Sequence, residues 1–151
     1  MGYYRKFIKN YASITNPMEK LLKKIEEFIW IEECQIAPNK LKERLVSAPI
    51  LVYPNWNKIF HMHIDALEIA LGAVLTQPRE KNMDDPVYYA SRKLSTVEKN
   101  YTKTEREALA MVYSLQKFRH YLLGMPFKFF IDHYVLKYLV NKPFLEGRIC
   151  R

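Results

Sequence analysis

The stretch FHMHIDALEIALGAVLTQ, residues 60–77, constrains the fold of this 151-residue chain more strongly than any other segment. Its first half alternates apolar and polar side chains, the period-two pattern of a half-buried β-strand, and a second apolar run follows after a short turn. The pattern predicts two strands, over 59–66 and 70–77. The first strand closes on Asp65, a carboxylate between apolar neighbours. A buried charge of this kind is costly unless a partner neutralises it.

The segments that follow predict a mixed sheet with a crossover helix. A third strand is expected over 87–92, a long amphipathic helix over 104–122, a fourth strand over 127–132 and a short helix over 134–140. The first three strands are close enough in sequence to form antiparallel hairpins. Because the long helix supplies a crossover, we expect the fourth strand to lie parallel to the first.

The amino-terminal third has the pattern of helices. Residues 17–27 carry an apolar stripe at helical spacing, with Asn16 as a candidate cap. A second stripe runs from Cys34 to Leu45 and contains Pro38. Since proline removes a backbone donor, this second helix is expected to break or bend at Pro38 or to begin near it.

The segment 47–58, with two prolines and a turn-rich end, predicts a connector. We therefore expect a helical unit over 1–56, separate from or loosely docked on an α/β unit over 57–151.

The charge balance favours a polyanionic partner. The chain carries 24 basic and 16 acidic side chains, for a net charge of +8 and a pI near 9.4. Nucleic acid is the commonest partner of such a surface, although a basic surface without a partner is the plain alternative. The two cysteines have no metal-ligand spacing, and neither a membrane span nor a signal peptide is recognisable. We expect an intracellular protein of the cytoplasm or nucleus, with no membrane partner.

Two acids end apolar strands that should be parallel neighbours. Asp65 closes the first predicted strand and Asp132 closes the fourth, so both are expected at one edge of the sheet. A helix cap for the segment near Tyr134 is the alternative role of Asp132.

The crossover helix offers a third acid. With Met111, Leu115, Phe118 and Leu122 as the apolar face, Glu107 points toward the sheet and Glu105 toward water. The alternative role of Glu107 is a capping box with Thr104. If the three carboxylates converge, their repulsion requires a cation, and Mg²⁺ is the hard divalent ion that prefers carboxylate oxygen.

These residues resemble the end of the reverse transcriptase and the RNase H domain of a gypsy-type LTR retrotransposon polyprotein. The resemblance covers almost the whole chain in the family's order and is most specific in the segment between the third strand and the helix end. The stretches that carry it are GYYRKFIKNY (2–11), PMEKLLKK (17–24), LKERLVSAPILVYP (41–54), HIDALEIALGAVLTQ (63–77), PVYYASRKLSTVEKNYTKTEREALAMVYSLQKFRHYLLG (86–124) and IDHYVLKYL (131–139).

The resemblance implies an RNase H-like fold and an endonuclease that cuts the RNA strand of an RNA–DNA hybrid. It implies four acids around two Mg²⁺ ions, with Mn²⁺ as a substitute, and it identifies Asp65, Glu107 and Asp132 as the first three. The partners it implies are a hybrid or other nucleic acid and the remainder of a polyprotein. Four basic residues near the third strand and the helix start are candidates for phosphate contacts: Arg92, Lys93, Lys99 and Lys103. Alternatively, these four residues belong to solvated loops and contact no phosphate.

The sequence also departs from the family pattern. Leu67 stands where the family usually has serine, and Tyr134 where it has a small or polar residue. The last strand, the last helix and the fourth acid have no counterpart, so a chain truncated at both ends and weak or inactive as a nuclease is expected. A non-catalytic nucleic-acid-binding or structural remnant is the alternative. His61 and His63 share a strand face, but no third zinc ligand is apparent beside them.

Overall fold

The computed structural model of the chain describes residues 2–23, 27–47, 51–79 and 83–131. Asp132 and the helix predicted over 134–140 lie outside the described residues.

Four strands form one mixed sheet within the described ranges. They are β1 (Phe60–Ala66), β2 (Ala70–Pro78), β3 (Asp84–Lys93) and β4 (Phe127–Phe130), in the order β3-β2-β1-β4. β1 pairs antiparallel with β2, and β2 pairs antiparallel with β3. β4 pairs parallel with β1, which confirms the predicted crossover. The chain passes from β3 to β4 through the long helix α4 (Lys103–Leu122).

The main core lies between one face of this sheet and α4. Phe60 and Met62 of β1 and Phe118 of α4 are fully buried there, because alternate strand residues face the helix. A second cluster at the other end of α4 joins Leu71, Leu94 and Ala110 and packs against Ile64 and Ala66. Apolar surface removed from water in these two clusters stabilises the fold by roughly 25 cal/mol for each Å².

The apolar face of α4 differs from the predicted one. Phe118 and Leu122 are buried as expected, but Leu115 is 36% exposed, while Ala110 and Ser114 are completely buried. Small side chains allow the helix backbone to approach the sheet closely, and a stripe of large residues could not. The hydroxyl of Ser114 is satisfied within the helix, since it donates to the carbonyl of Met111 at 2.8 Å.

The amino-terminal helices are shorter than predicted. A 3₁₀ helix (Gly2–Phe7) precedes α1 (Tyr11–Ile14) and α2 (Asn16–Lys20). The helix expected over 17–27 is therefore α2, which ends at Lys20, and the residue preceding it is Thr15 rather than Asn16. The hydroxyl of Thr15 donates to Glu19 Oε1 at 2.7 Å, and this hydrogen bond stabilises the first turn of α2.

The helix that contains Pro38 is continuous. α3 runs from Glu32 to Val46 with Pro38 inside it, so the predictions that it breaks at Pro38 or begins there are wrong. Cys34 and Leu41 are buried on the same side of α3, and Leu41 packs against Ile8 and Tyr11. This packing stabilises α3 even though Pro38 cannot donate a backbone hydrogen bond within the helix.

The amino-terminal helices lie against the sheet at β3. The amide of Ala12 donates to Ser91 Oγ at 3.0 Å, and the Arg5 guanidinium donates to the carbonyl of Ser91. Lys93 forms an ion pair of 2.9 Å with Glu19 of α2. These contacts fix where the helices sit on the sheet, whereas the division of the chain at residue 56 stays a prediction.

No helix within the described ranges is long and apolar enough to cross a membrane.

Replacing Pro38 by alanine should stabilise the chain. The new amide would donate to the carbonyl four residues earlier and remove a helix-interior penalty of up to about 3 kcal/mol. We expect a gain of about 1–3 kcal/mol, measured by chemical denaturation. Asn39→Ala, the exposed neighbour on the same helix, is the control and should gain only about 0.5 kcal/mol. A loss of stability in Pro38→Ala would mean that the helix depends on the proline.

Candidate active site

Asp65 lies one residue before the end of β1 and is half-buried. Its Cα pairs with that of Gly72 in β2. Asp65 Oδ2 accepts a hydrogen bond of 3.2 Å from the side-chain amide of Asn10. A neutral amide satisfies one oxygen of the carboxylate without neutralising its charge.

Local backbone geometry brings Asn10 to this carboxylate. Asn10 has φ 57° and ψ 31°, a left-handed conformation that asparagine tolerates better than most residues, and it joins the 3₁₀ helix to α1. Gly72 leaves the necessary room, because a Cβ at this position would come within 2.6 Å of Asn10 Oδ1. The amide of Asn10 and the lack of a side chain at Gly72 therefore fix the position of the Asp65 carboxylate. Neither residue was predicted from the sequence to belong to the site.

Glu107 occupies the second turn of α4 and has a buried carboxylate oxygen. Glu107 Oε2 is buried and has no hydrogen-bond partner among the described residues; the neighbouring Arg106 Nε is in the same situation. An unpaired buried carboxylate oxygen is destabilising, so it marks a position where something other than the described side chains is needed.

The capping box of α4 involves Glu105 instead of Glu107. Thr102 is the N-cap, its hydroxyl accepts from the amide of Glu105 at 3.3 Å, and the Glu105 carboxylate accepts from the amide of Thr102 at 2.9 Å. The alternative capping box of Thr104 with Glu107 is therefore wrong. Measured from the buried Ser114 at 100° per residue, Glu107 lies about 20° away and Glu105 about 180° away. Glu107 is on the sheet side of α4.

Asp65 and Glu107 approach the end of the sheet from different faces. Ile64 and Ala66 pack on the side of α4, so the alternation of β1 directs Asp65 to the side of the amino-terminal helices. The two carboxylates can meet only around the edge where β1 ends. Within the described ranges no three His, Cys, Asp or Glu side chains form a group able to hold a metal ion, and Asp132 lies outside those ranges.

Comparison with known proteins identifies the family. Residues 30–129 match the family described as RNase H-like domain found in reverse transcriptase. That match covers α3, the sheet and α4. The chain belongs to this RNase H-like family of reverse transcriptases.

Similar sequences are segments of retrotransposon polyproteins. The chain is 43% identical over 145 residues to the retrovirus-related Pol polyprotein from transposon 297 of Drosophila melanogaster, covering 93% of this chain and 13% of that protein. It is 37% identical over 135 residues to the transposon Tf2-3 polyprotein of Schizosaccharomyces pombe, covering 88% of this chain and 10% of that protein. The chain therefore spans only 13% and 10% of the lengths of these two relatives.

Solved structures share the fold. The foamy viral protease-reverse transcriptase in complex with dsDNA superposes with a TM-score of 0.76 at 20% identity, over 95% of this chain and 30% of that one. The same viral protein in complex with RNA/DNA hybrid gives a TM-score of 0.70 at 20% identity, over 98% of this chain and 21% of that one. These superpositions agree with the predicted RNase H-like fold.

Two of the four candidate phosphate-binding residues of this RNase H-like domain are held in ion pairs. Arg92 donates to both carboxylate oxygens of Glu98, at 2.8 and 2.9 Å, and its guanidinium lies over the Tyr113 ring. Lys93 is paired with Glu19. Lys99 and Lys103, by contrast, are exposed at the approach to α4. Phosphate contacts by all four residues stay a prediction.

His61 and His63 do have an acidic neighbour, which the sequence did not indicate. Asp84 Oδ2 lies 2.8 Å from His61 Nδ1 and 3.1 Å from His63 Nε2, and accepts from the Thr76 hydroxyl at 2.8 Å. Burial alone would raise the pKa of Asp84, but these hydrogen bonds outweigh it and lower that pKa. Asp84 lies on β3, two strands away from β1, so only the assembled sheet brings it to the histidines.

The pair of Arg92 and Glu98 should make stability depend on pH. Hydrogen bonds from Arg92 lower the pKa of Glu98 from 4.5 to about 2. Because the folded-state pKa is depressed, the stabilisation is complete above pH 4.5 and is lost as the pH falls toward about 2. Glu98→Gln should therefore cost about 1–3 kcal/mol at pH 7 and much less near pH 2, by chemical denaturation.

Glu68→Gln, at an exposed acid in the turn between β1 and β2, is the matched control and should leave the pH profile unchanged. Equal profiles for Glu98→Gln and Glu68→Gln would show that the Arg92 pair contributes nothing to stability.

Proposed function

We propose that this RNase H-like domain hydrolyses the RNA strand of an RNA–DNA hybrid during reverse transcription, inside the cell, in the cytoplasm or nucleus. The single observation that carries the proposal is the buried, unpaired Oε2 of Glu107 in a chain of this family. A carboxylate kept buried without a partner among the described residues fits a ligand of a divalent cation better than it fits a structural role.

Asp65 and Asp132 are proposed as the other two ligands. β4 pairs parallel with β1, joining Phe60 with Phe127 and His63 with Phe130, and Asp132 follows β4 in the sequence, outside the described residues. Because parallel neighbours end at the same edge of a sheet, we expect an acid at the end of β1 and an acid that follows β4 to share that edge with Glu107. Three negative charges there would repel one another strongly without a cation.

Mg²⁺, or Mn²⁺ in its place, is the proposed cofactor. When bound, it would supply positive charge that activates the attacking water and stabilises the leaving oxygen. The side-chain amide of Asn10 would orient the Asp65 carboxylate for this role. Because the amide is neutral, the negative charge of Asp65 stays available to the cation. Glu107 would be held by α4, whose capping box fixes the first turn.

The net charge of the chain and its similarity to known proteins both favour an RNA–DNA hybrid as the substrate. A structural neighbour at 20% identity is described in complex with RNA/DNA hybrid. The net charge of +8 and the exposed Lys99 and Lys103 favour a polyanion in this chain. Of the four candidate phosphate contacts, Lys99 and Lys103 are the two we expect to contribute directly, because Arg92 and Lys93 already have carboxylate partners.

Cleavage of a labelled hybrid tests the proposal. The 151-residue chain is incubated with an RNA–DNA hybrid in Mg²⁺ or Mn²⁺, and the RNA products are resolved by size. We expect cleavage of the RNA strand that depends on the divalent metal ion. Asp65→Asn and Glu107→Gln should each lower the rate by about 100-fold or more, since members of a cooperating set are not additive.

Glu105→Gln is the matched control for Glu107→Gln. It changes an acid two residues away on the same helix, and a glutamine can keep the capping box, so its rate should equal that of the unmodified chain. Cleavage that survives in Asp65→Asn would contradict the assignment. Hybrid binding without any cleavage dependent on Asp65 would instead identify the chain as a non-catalytic nucleic-acid-binding module.

A further inference from the structure

A cleft of about 350 Å³ lies on the outer edge of the sheet, away from the carboxylates. Its floor is part of β3, an edge strand of the described sheet, and its walls come from the amino-terminal 3₁₀ helix and α4. Tyr3, Arg5 and Lys6 line it from the 3₁₀ helix, and Tyr113 and Lys117 from α4. The volume is at the small end of the range of ligand sites, about 300–1,000 Å³.

The cleft carries positive charge that is not neutralised. Among the described residues that line it, four are cationic and none is acidic. Arg92 is neutralised by Glu98, but no ion pair within the described ranges joins Arg5, Lys6 or Lys117 to a carboxylate. The Arg5 guanidinium also donates to the carbonyl of Ser91, which keeps it at the floor of the cleft. Cations without a carboxylate partner around one small cleft favour an anionic ligand.

Aromatic rings support these cations. The ammonium of Lys6 lies 4.9 Å from the centre of the Tyr3 ring, and that of Lys117 lies 5.8 Å from the centre of the Tyr88 ring. Cation–π contacts hold the charged groups in place while leaving their donors available. Tyr3 itself is 72% exposed, so its side chain is accessible to a planar ligand at the rim of the cleft.

We propose that this cleft binds one nucleotide unit of a single-stranded nucleic acid, with the phosphate at Arg5, Lys6 and Lys117 and the base stacked on Tyr3. A nucleotide carries a phosphate for the cations and a planar base for the exposed aromatic ring. Every base can stack on an aromatic ring, so this contact does not depend on sequence. An acidic peptide would match the charge but would leave the aromatic rim unused. The preference for nucleic acid over such a peptide rests on the proposed nuclease function.

The cleft is separate from the carboxylates, so it acts as a second contact on a strand. The residues that line it do not include Asp65, Glu107, Lys99 or Lys103. A single strand leaving a duplex could be held at β3 while the duplex lies elsewhere on the domain. Binding here therefore needs no divalent cation.

Fluorescence anisotropy of a labelled six-nucleotide single-stranded DNA, with the 151-residue chain in EDTA, tests this inference. Tyr3→Leu and Lys117→Ala should each weaken binding about fivefold or more, because each removes a stacking or phosphate contact. Tyr3→Phe keeps the ring and should bind as the unmodified chain does. Tyr53→Leu, at a 96% exposed tyrosine outside the cleft, and Lys42→Ala, at an exposed helical lysine, are the matched controls and should not change affinity.

Competition identifies the ligand class. AMP should displace the oligonucleotide at higher concentration, and hexaglutamate should not. The inference is overturned if hexaglutamate competes as well as the oligonucleotide does, if AMP binds and the oligonucleotide does not, or if Tyr3→Leu binds as tightly as Tyr53→Leu.

Asp65→Asn separates this inference from the proposed cleavage. Asp65 lies outside the cleft, so this variant should lose cleavage and still bind the oligonucleotide. If the unmodified chain binds in a Tyr3-dependent way but shows no nuclease activity, only the proposed function is contradicted. Cleavage that depends on Asp65, together with oligonucleotide binding that does not depend on Tyr3 or Lys117, contradicts only the cleft.

Discussion

The parallel pairing of β4 with β1 is the constraint on which the rest of the structure depends. A parallel pair cannot be joined by a tight turn, so the chain must cross the sheet, and α4 is that crossing. The crossing covers one face of the sheet and buries Phe60, Met62 and Phe118 against each other. It also brings the amino-terminal half of α4, which contains Glu107, against Ile64 and Ala66 near the end of β1. Fold and candidate site therefore have the same cause.

The amino-terminal helices pack against the opposite face of the sheet. There the amino-terminal helices bind Ser91 through Ala12 and Arg5, and Asn10 reaches Asp65. Hydrogen bonds and the ion pair of Lys93 with Glu19 connect this layer to the sheet, while the residues under α4 form an apolar core. The amino-terminal segment therefore contributes to both candidate surfaces: Asn10 donates to Asp65, and Arg5 and Lys6 line the cleft at β3.

Short-range patterns predicted the elements well, because the period of two in β1 and the period of 3.6 in α4 are imposed by local geometry. Where prediction failed, tertiary packing decided. Leu115 was expected in the core, but the close approach of α4 to the sheet favours Ala110 and Ser114 instead. The helix through Pro38 persists because packing of Cys34 and Leu41 outweighs a missing hydrogen bond.

The candidate site was predicted only in part, for a similar reason. Glu107 could be distinguished from Glu105 by helix geometry, which needs no tertiary information. The contact of Asn10 with Asp65 and that of Asp84 with two histidines join residues distant in sequence, so no local pattern indicates them. Likewise, only the folded chain reveals that Arg92 and Lys93 are engaged by Glu98 and Glu19.

Paramagnetic broadening by Mn²⁺ in NMR spectra of the isotope-labelled chain tests most directly whether Asp65 and Glu107 form one cation site. Substoichiometric Mn²⁺ should selectively weaken the amide signals around Asp65, Gly72 and Glu107, and Glu107→Gln should reduce that effect while Glu105→Gln leaves it unchanged. Broadening centred on His61, His63 and Asp84, or spread evenly over the chain, would contradict a metal site at the end of β1.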